Sequence, residues 1–443
     1  MKIKRRDSAD ILNALAGGVV PCRGLQYIIV GREAEMRQIK EDLKDIKENG
    51  SSLIKFFIGA YGTGKSFMQN FVRQIGLDEG FVVAKADFTP HRRLYGNDNQ
   101  AVALYSELMR NLSTKSVPQG NALPAILDQW ITNIQNQVVQ KLGYDRPILN
   151  DPTFIQAVEK EIIDVVSHLD ELTGGYDFAN VLGIYYRGFV EQDREKQRRA
   201  LRWIRGEYLA KTDAIRDLGI REIINDNNYY GYLKVLSKFV RQIGYSGLII
   251  NLDEAVNLYK ITHREAREKN YEYILMIYND ILQGAVEGLY ITFSGTPEFL
   301  EDERRGLYSY KALERRLKPG VQSDEYRDLK QPVIRLMPIT PNETLVLLMN
   351  IRDIHAAHYG YEPTVTDEEI CDFLIHFYER PGAEKHIILG DVIRQFISSL
   401  NILIENPMTD WKELFGVSNE TPQDDKIDRK VVNIHDRFQR GNF

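Results

Sequence analysis

Two apolar periods alternate along the first part of the chain. Residues Val30–Lys47 space Met36, Ile39, Leu43 and Ile46 three and four apart, which predicts an amphipathic helix, and Glu48–Ser52 ends it. Leu53–Ile58 is a compact apolar and aromatic run of strand length. A glycine-bearing stretch follows, and helical spacing returns at Phe67, Phe71, Val72 and Ile75. A second strand is predicted over Phe81–Ala86 and a helix over Gln100–Leu112. Strands alternating with helices predict a parallel sheet covered on both faces.

The pattern then changes. From about Ser116 to Tyr230 the spacing is helical without convincing strands, clearest over Ala125–Val139, Phe154–Leu172 and Phe178–Ile204, with Tyr232–Val240 just beyond. Strands resume at Leu248–Leu252, Leu289–Phe293 and Val333–Met337. The expectation is an α/β core over residues 51–340, interrupted by a helical insertion at about 116–230. A helical lid follows over residues 341–405, with helices at Glu343–His355, Asp367–Tyr378 and Ile387–Ile404 separated by Pro363 and Pro381-Gly382. The tail, residues 406–443, has no assigned element, and no repeat or low-complexity tract is found.

In the N-terminal segment, residues 1–50, the basic residues Lys2, Lys4, Arg5 and Arg6 precede an apolar stretch, as in a targeting signal. Asp7, Ser8 and Asp10 interrupt it, and no small-residue cleavage site follows. A short helix capped by Asp7 or Ser8 and burying Ile11, Leu12 and Leu15 is expected instead. No run approaches the length of a membrane span. The 443 residues carry 57 basic and 63 acidic side chains, net −6, so any polyanion binding must be local. With 43% hydrophobic residues the composition is that of a globular protein, and Cys22 and Cys371 form neither a disulfide framework nor a metal-ligand pair. A cytoplasmic setting is expected.

Gly59-Ala60-Tyr61-Gly62-Thr63-Gly64-Lys65-Ser66 fits the phosphate-binding pattern G-x-x-x-x-G-K-[ST], between a predicted strand and a predicted helix. The glycines let backbone N–H groups curl around phosphates and the helix start adds its positive dipole end. Lys65 is expected to reach the β- and γ-phosphates and Ser66 to hold Mg²⁺. Gly59, Tyr61, Gly62, Thr63, Gly64, Lys65, Ser66 and Phe67 are thus candidate contacts for ATP. Leu248–Leu252 then delivers two adjacent carboxylates, Asp253 for the magnesium shell and Glu254 as general base toward an attacking water. Asn251, a polar residue in that strand, needs a partner for its side chain. The strand Leu289–Phe293 ends at Ser294-Gly295-Thr296-Pro297, where Ser294 or Thr296 could present a hydroxyl to the γ-phosphate.

The order of these parts, with Val30-Gly31-Arg32-Glu33 before the first strand and a helical lid after the last, resembles the AAA+ superfamily near its origin-recognition and STAND branches. Gly17-Gly18-Val19-Val20-Pro21, the run Asn251–Lys260 and Gly295-Thr296-Pro297-Glu298-Phe299 are similar to the ATP-binding subunit family of BREX-type phage-defence islands, BrxD. The resemblance implies a P-loop ATPase fold, with Gly31 and Arg32 flanking an adenine pocket. It also implies a second sensor at Arg394, within Gly390-Asp391-Val392-Ile393-Arg394. Ala312–Leu317 is similar to the segment that carries arginines across a subunit boundary, which makes Arg315 or Arg316 a candidate arginine finger and a homo-oligomer the expected assembly. Arg304 and Arg305 are alternatives, as is a solvated basic helix pairing with Glu301, Asp302 and Glu303. About forty residues follow the last lid helix, fewer than the winged-helix domain of origin-recognition proteins needs.

Within the insertion, Arg194, Arg198, Arg202 and Arg205 share one helix face. That face suits a DNA phosphate backbone, a protein partner from the same defence system, plain solvent, or the acidic Glu222 and Asp226 region. The best-supported expectation is an ATPase coupling turnover to rearrangement of itself or of a DNA or protein partner, without a membrane role. A slow nucleotide switch is the alternative from another class. A small-molecule kinase is disfavoured by the Asp253-Glu254 pair and the lid.

Overall fold

In the computed structural model the described residues are 3–148, 151–167, 174–319, 327–378 and 389–415. The helices are α1 (Arg5–Ala16), α2 (Glu33–Asn49), α3 (Lys65–Asp78), α4 (Gln100–Arg110), α5 (Leu123–Leu142), α6 (Pro152–Ser167), α7 (Gly175–Val190), α8 (Arg194–Ile204), α9 (Lys211–Leu218) and α10 (Tyr229–Gln242). They continue with α11 (Val256–Tyr259), α12 (Arg264–Leu282), α13 (Pro297–Glu301), α14 (Lys311–Leu317), α15 (Pro341–Tyr359), α16 (Asp367–Tyr378) and α17 (Leu389–Glu405). The strands are β1 (Leu53–Ile58), β2 (Val82–Asp87), β3 (Leu248–Asp253), β4 (Leu289–Gly295) and β5 (Val333–Arg335). The chain divides into two units, residues 34–60 with 65–336, and residues 1–33 with 61–64 and 337–443.

The larger unit is built on one five-stranded sheet in the order β2-β3-β4-β1-β5, with every pairing parallel. Because side chains alternate across a strand, each face collects every second residue. One face, including Ile54, Phe56, Val82, Leu248, Ile250 and Phe293, continues into an apolar core shared with α4, α5, α7, α8, α10 and α12. Its joints are aromatic edges: Trp130 against Phe239 at 5.0 Å and Trp203 against Tyr232 at 5.3 Å between centroids. The other face carries α3, whose Gly76 clears Ile249; a Cβ there would come within 2.3 Å of the Ile249 Cδ1.

On that second face one row is polar. Lys85, Asn251, Thr292 and Lys55 stand in register across β2, β3, β4 and β1. Lys55 is buried, and its ammonium donates to the carbonyls of Leu329 at 2.9 Å and of Lys330 and Gln331 at 3.0 Å, with Asp42 Oδ2 of α2 at 3.6 Å. Asp42 also accepts from Gln38 Nε2 at 2.8 Å and from the Tyr290 hydroxyl at 3.2 Å. Burial pushes the Lys55 pKa down and that of Asp42 up, and their mutual attraction opposes both shifts. Sequence patterning treats Leu53–Ile58 as a uniform apolar run; the lysine is tolerated because its charge is fully surrounded by acceptors.

One other expectation is corrected, and one helix was not foreseen. The stretch Phe178–Ile204 is two helices, because Gln192 adopts φ +57° and the Asp193 carboxylate caps α8 by accepting the amides of Glu195 and Lys196 at 3.0 Å. The helix α12 covers the buried positions Tyr271, Ile274, Ile277, Tyr278 and Ile281, which the sequence reading passed over. Of the stretches predicted as helix, the end of Phe154–Leu172 beyond Ser167 and the start of Ile387–Ile404 before Leu389 lie outside the described residues, as do Pro381-Gly382 and the tail from residue 416.

In the smaller unit α1 packs on α15 and α17. It buries Ile11 and Leu12, but neither Asp7 nor Ser8 caps it: the N-cap is Lys4, and the Ser8 hydroxyl donates to the Arg5 carbonyl and lies 2.9 Å from His358 Nδ1. The start of α15 is closed by a reciprocal box between Thr340 and Glu343. Gly31 has φ +69°, and a Cβ there would stand 2.2 Å from the Glu343 Oε1, so both backbone and space demand glycine.

The Lys55 cage yields a stability prediction. Lys55→Met strips the donors from three carbonyls and leaves Asp42 buried without its cation, and is expected to cost about 3–5 kcal/mol. Asp42→Asn leaves the carbonyl cage intact and should cost less. Denaturant midpoints of the two variants check the ranking, and equal losses would contradict it.

Candidate functional site

The glycine loop joins the C-terminal end of β1 to the N-terminus of α3. Gly62 and Gly64 sit at φ +81° and +89°, where glycine alone is unstrained. Gly59 donates its N–H to the Gly295 carbonyl at 3.1 Å, tying the loop start to the end of β4. Lys65 Nζ donates to the carbonyls of Gly59 at 2.9 Å and Ala60 at 2.7 Å. Burial lowers the Lys65 pKa, whereas Asp253, Glu254 and Glu298 pull it back up. Arg32, buried to 5% exposure, donates to the Thr63 carbonyl at 2.9 Å and also to that of Met337. The guanidinium therefore braces the loop carbonyl directly. Tyr61 is exposed and Phe67 half-buried.

Asp253 closes β3 with a carboxylate that is almost fully buried. Its Oδ1 accepts the Ser294 hydroxyl and the Glu254 N–H, the latter at 2.8 Å. Its Oδ2 accepts the Ser66 hydroxyl at 3.3 Å and has Lys85 Nζ at 3.8 Å. Residues from β2, the start of α3, β3 and β4 thus meet at one side chain. Directly after it Glu254 takes φ +58°, in the left-handed region, and its side chain is exposed. Two bonds fix the exit: the Phe88 N–H to the Asp253 carbonyl and the Ala255 N–H to the Ser294 carbonyl, both 2.9 Å.

Asn251 has the partners its position requires. It donates to the Gln69 carbonyl at 3.0 Å and accepts from the Thr292 hydroxyl at 2.8 Å, while Gln69 Nε2 returns a bond to the Leu252 carbonyl at 3.0 Å. These bonds lock the first turn of α3, which carries Ser66, onto β3. Ser294 and Thr296 differ sharply. The first is committed to Asp253, whereas Thr296 Oγ1 is buried and has no hydrogen-bond partner.

Among the described residues no group of three or more His, Cys, Asp or Glu could hold a metal. The Ser66 and Asp253 oxygens, close together and hard, fit a cation that takes few protein ligands and keeps water or phosphate for the rest, as Mg²⁺ does.

The other candidate residues lie apart. Arg315 and Arg316 are exposed on α14, and Arg316 donates to the Ala312 carbonyl of its own helix at 2.9 Å. The expected acidic partners are engaged elsewhere: Glu301 with Arg335, and Asp302 with the Tyr259 hydroxyl and the amides of Arg304 and Arg305. Arg305 is half-buried, donates to the carbonyls of Tyr259 and Ile261 at 3.3 Å and lies over the Tyr259 ring. Arg394 pairs with Asp391 within α17. On α8, Arg194 and Arg198 are exposed, Arg198 pairing with Glu195 at 2.7 Å. Arg202 stacks on Tyr208 at 4.4 Å, and Arg205 bonds Asn121 at 2.5 Å. Glu222 and Asp226 are not their partners, because Glu222 holds Lys211 and Asp226 caps α4 through the amides of Ala101 and Val102.

Sequence reasoning missed Lys85 and Gln69. Each left a signal, a charged residue inside a predicted strand and an amide on the buried face of a predicted helix.

No described helix is long and apolar enough to cross a membrane. No curated protein matches the chain. The family described as BREX system ATP-binding protein BrxC/D matches residues 3–419. This chain, whose glycine loop and Asp253 cluster stand at the ends of parallel strands β1 and β3 on either side of β4, thus belongs to the BREX system BrxC/D family of ATP-binding proteins in phage defence.

Proposed function

We propose that the chain is an AAA+ ATPase that couples hydrolysis to rearrangement of itself or of a DNA or protein partner in the defence system. The observation that carries this reading is the convergence of Ser66, Ser294, Lys85 and the Glu254 turn on Asp253. It occurs in a sheet where β4 stands between β1 and β3. That insertion supports a hydrolytic build, because it sets a polar strand end between the phosphate loop and the carboxylates.

In this reading the loop residues Gly59–Ser66 and the N-terminus of α3 hold the phosphates, with Lys65 on the β/γ oxygens. Ser66 and Asp253 would hold Mg²⁺, which when bound would neutralise charge on the transferring phosphoryl oxygens. Glu254 takes a proton from water as its oxygen bonds the γ-phosphorus and the bond to the β-phosphate breaks, giving ADP and phosphate. Ser294 orients Asp253, which leaves the Thr296 hydroxyl as the group for the γ-phosphate. Arg32 supports the loop beside the adenine, Arg394 serves as second sensor from the helical lid of residues 341–405, and Arg315 or Arg316 acts on a neighbouring copy.

Three experiments test this. Lys65→Ala should abolish nucleotide binding, whereas Glu254→Gln should keep it and slow turnover by about 10²- to 10⁴-fold. Normal turnover in Glu254→Gln removes the general base from the scheme. A wild-type chain that retains ADP and hydrolyses almost nothing would make the protein a nucleotide switch. Arg315→Ala/Arg316→Ala chains should bind ATP yet lose about 10³- to 10⁵-fold in rate if the finger acts fully in trans. Mixing them with Lys65→Ala chains should restore part of it. No rescue, with a wild-type rate independent of concentration, would mean that one chain is complete alone. Reversing Arg194, Arg198 and Arg202 to glutamate should weaken DNA binding and flatten its salt dependence without changing basal hydrolysis; an unchanged salt slope would remove α8 from the interface.

A further inference from the structure

Lys85 takes no step in the hydrolysis scheme above, yet its ammonium faces the carboxylate at the centre of it. The two oxygens of Asp253 are divided in use. Oδ1 is saturated by the Ser294 hydroxyl and the Glu254 amide, while Oδ2 faces Ser66 Oγ at 3.3 Å and Lys85 Nζ at 3.8 Å. The oxygen that would bind the metal together with Ser66 is therefore the oxygen that Lys85 holds.

A second acceptor stands on the same strand face two residues further on. Asp87 Oδ1 is 4.0 Å from Lys85 Nζ, and the Asp87 side chain is 51% exposed against 8% for Asp253. The backbone of Lys85 is fixed, since its carbonyl accepts from Asn111 Nδ2 at 2.9 Å and the residue pairs with Asn251 in the sheet. The ammonium sits on a flexible four-carbon stem. Only the charged tip needs to travel between the two carboxylates.

We infer that Lys85 is the resident counter-ion of Asp253 and sets the magnesium requirement of the site, an inference that rests on the nucleotide-binding reading above. With no divalent cation the ammonium balances a nearly buried carboxylate that would otherwise be costly. Were Oδ2 to hold a divalent cation, the Lys85 ammonium would be repelled from it and would shift toward Asp87. Metal binding would then include the cost of breaking the Lys85–Asp253 pair and the gain of tightening the Lys85–Asp87 pair already in place. The two carboxylates pull the metal requirement in opposite directions, so substitutions on the two sides of the lysine should have opposite signs.

The test uses the full chain and thermal stabilisation by ADP as a function of free Mg²⁺, a binding readout that involves no hydrolysis. Lys85→Met should lower the Mg²⁺ concentration for half-maximal stabilisation about two- to fivefold, the range expected for a partly exposed ion pair. Asp87→Asn, at an exposed position where folding is not at stake, should raise it by a similar factor. Lys85→Arg, which keeps the charge, should stay nearer the wild type than Lys85→Met. If Lys85→Met and Asp87→Asn both superimpose on a magnesium-dependent wild type, or shift in the same direction, Lys85 is not the counter-ion and the inference is overturned. A wild type whose stabilisation by ADP ignores Mg²⁺ would instead overturn the metal assignment of Ser66 and Asp253, and this inference with it.

Discussion

One nearly buried carboxylate organises the end of the sheet that carries the glycine loop. A carboxylate so nearly buried needs partners in place of water, and each partner of Asp253 comes from a different element: Ser294 from β4, Ser66 from the start of α3, Lys85 from β2 and the Glu254 amide from its own turn. Satisfying one charge thereby fixes the relative placement of three strands and a helix. At the same point the chain leaves the strand: Glu254 donates its amide to Oδ1 at 2.8 Å and takes φ +58°. The side chain most exposed by that turn is the one suited to meet water.

The polar row behind the site extends the same logic one layer deeper. An all-parallel sheet covered on both faces ordinarily carries apolar residues throughout. Here Asn251 and Thr292 bond each other across β3 and β4, and Asn251 and Gln69 clasp α3. Lys55 at the far end of the row anchors the segment Leu329–Gln331 that leads into β5. Such interior hydrogen bonds add little net stability but are directional. They hold α3 in register with β3, so that Ser66 faces Asp253, which an apolar interface would leave to packing alone.

The strands were legible because buried parallel strands are short, apolar and bounded by turn residues; β1 occupies the expected residues, and β2 and β3 lie within one residue of expectation. The glycine loop was legible because its chemistry fixes residue type at Gly59, Gly64, Lys65 and Ser66. What could not be read is of two kinds. Polar residues inside apolar runs, Lys55 and Lys85, find their partners only once the sheet register is set, and sequence spacing does not give register between distant strands. The break between α7 and α8 depends on one left-handed residue, Gln192, whose type does not announce it, although the capping Asp193 could have. The use of Arg32 as a brace on the Thr63 carbonyl, beside its expected place near adenine, was equally invisible before the loop was folded.

The arginines that follow β4 divide by what they already do. Arg305 spends its guanidinium on two carbonyls and a tyrosine ring, Arg335 on Glu301, and Arg327 on Glu35 and on the Arg335 carbonyl. Each holds neighbouring segments together, and reassigning any of them would release a local contact. Arg315 and Arg316 stand differently, on a short helix whose nearest acid, Glu314, is shared between Lys311 and Lys318. Arg316 gives one bond to a carbonyl of its own helix, and neither arginine pairs with a carboxylate among the described residues. An exposed guanidinium left without a carboxylate keeps its full charge and its planar donor set for an external anion. That separation between committed and uncommitted arginines, rather than arginine content in the segment, is the physical reason to look to α14 for a group that acts on another molecule.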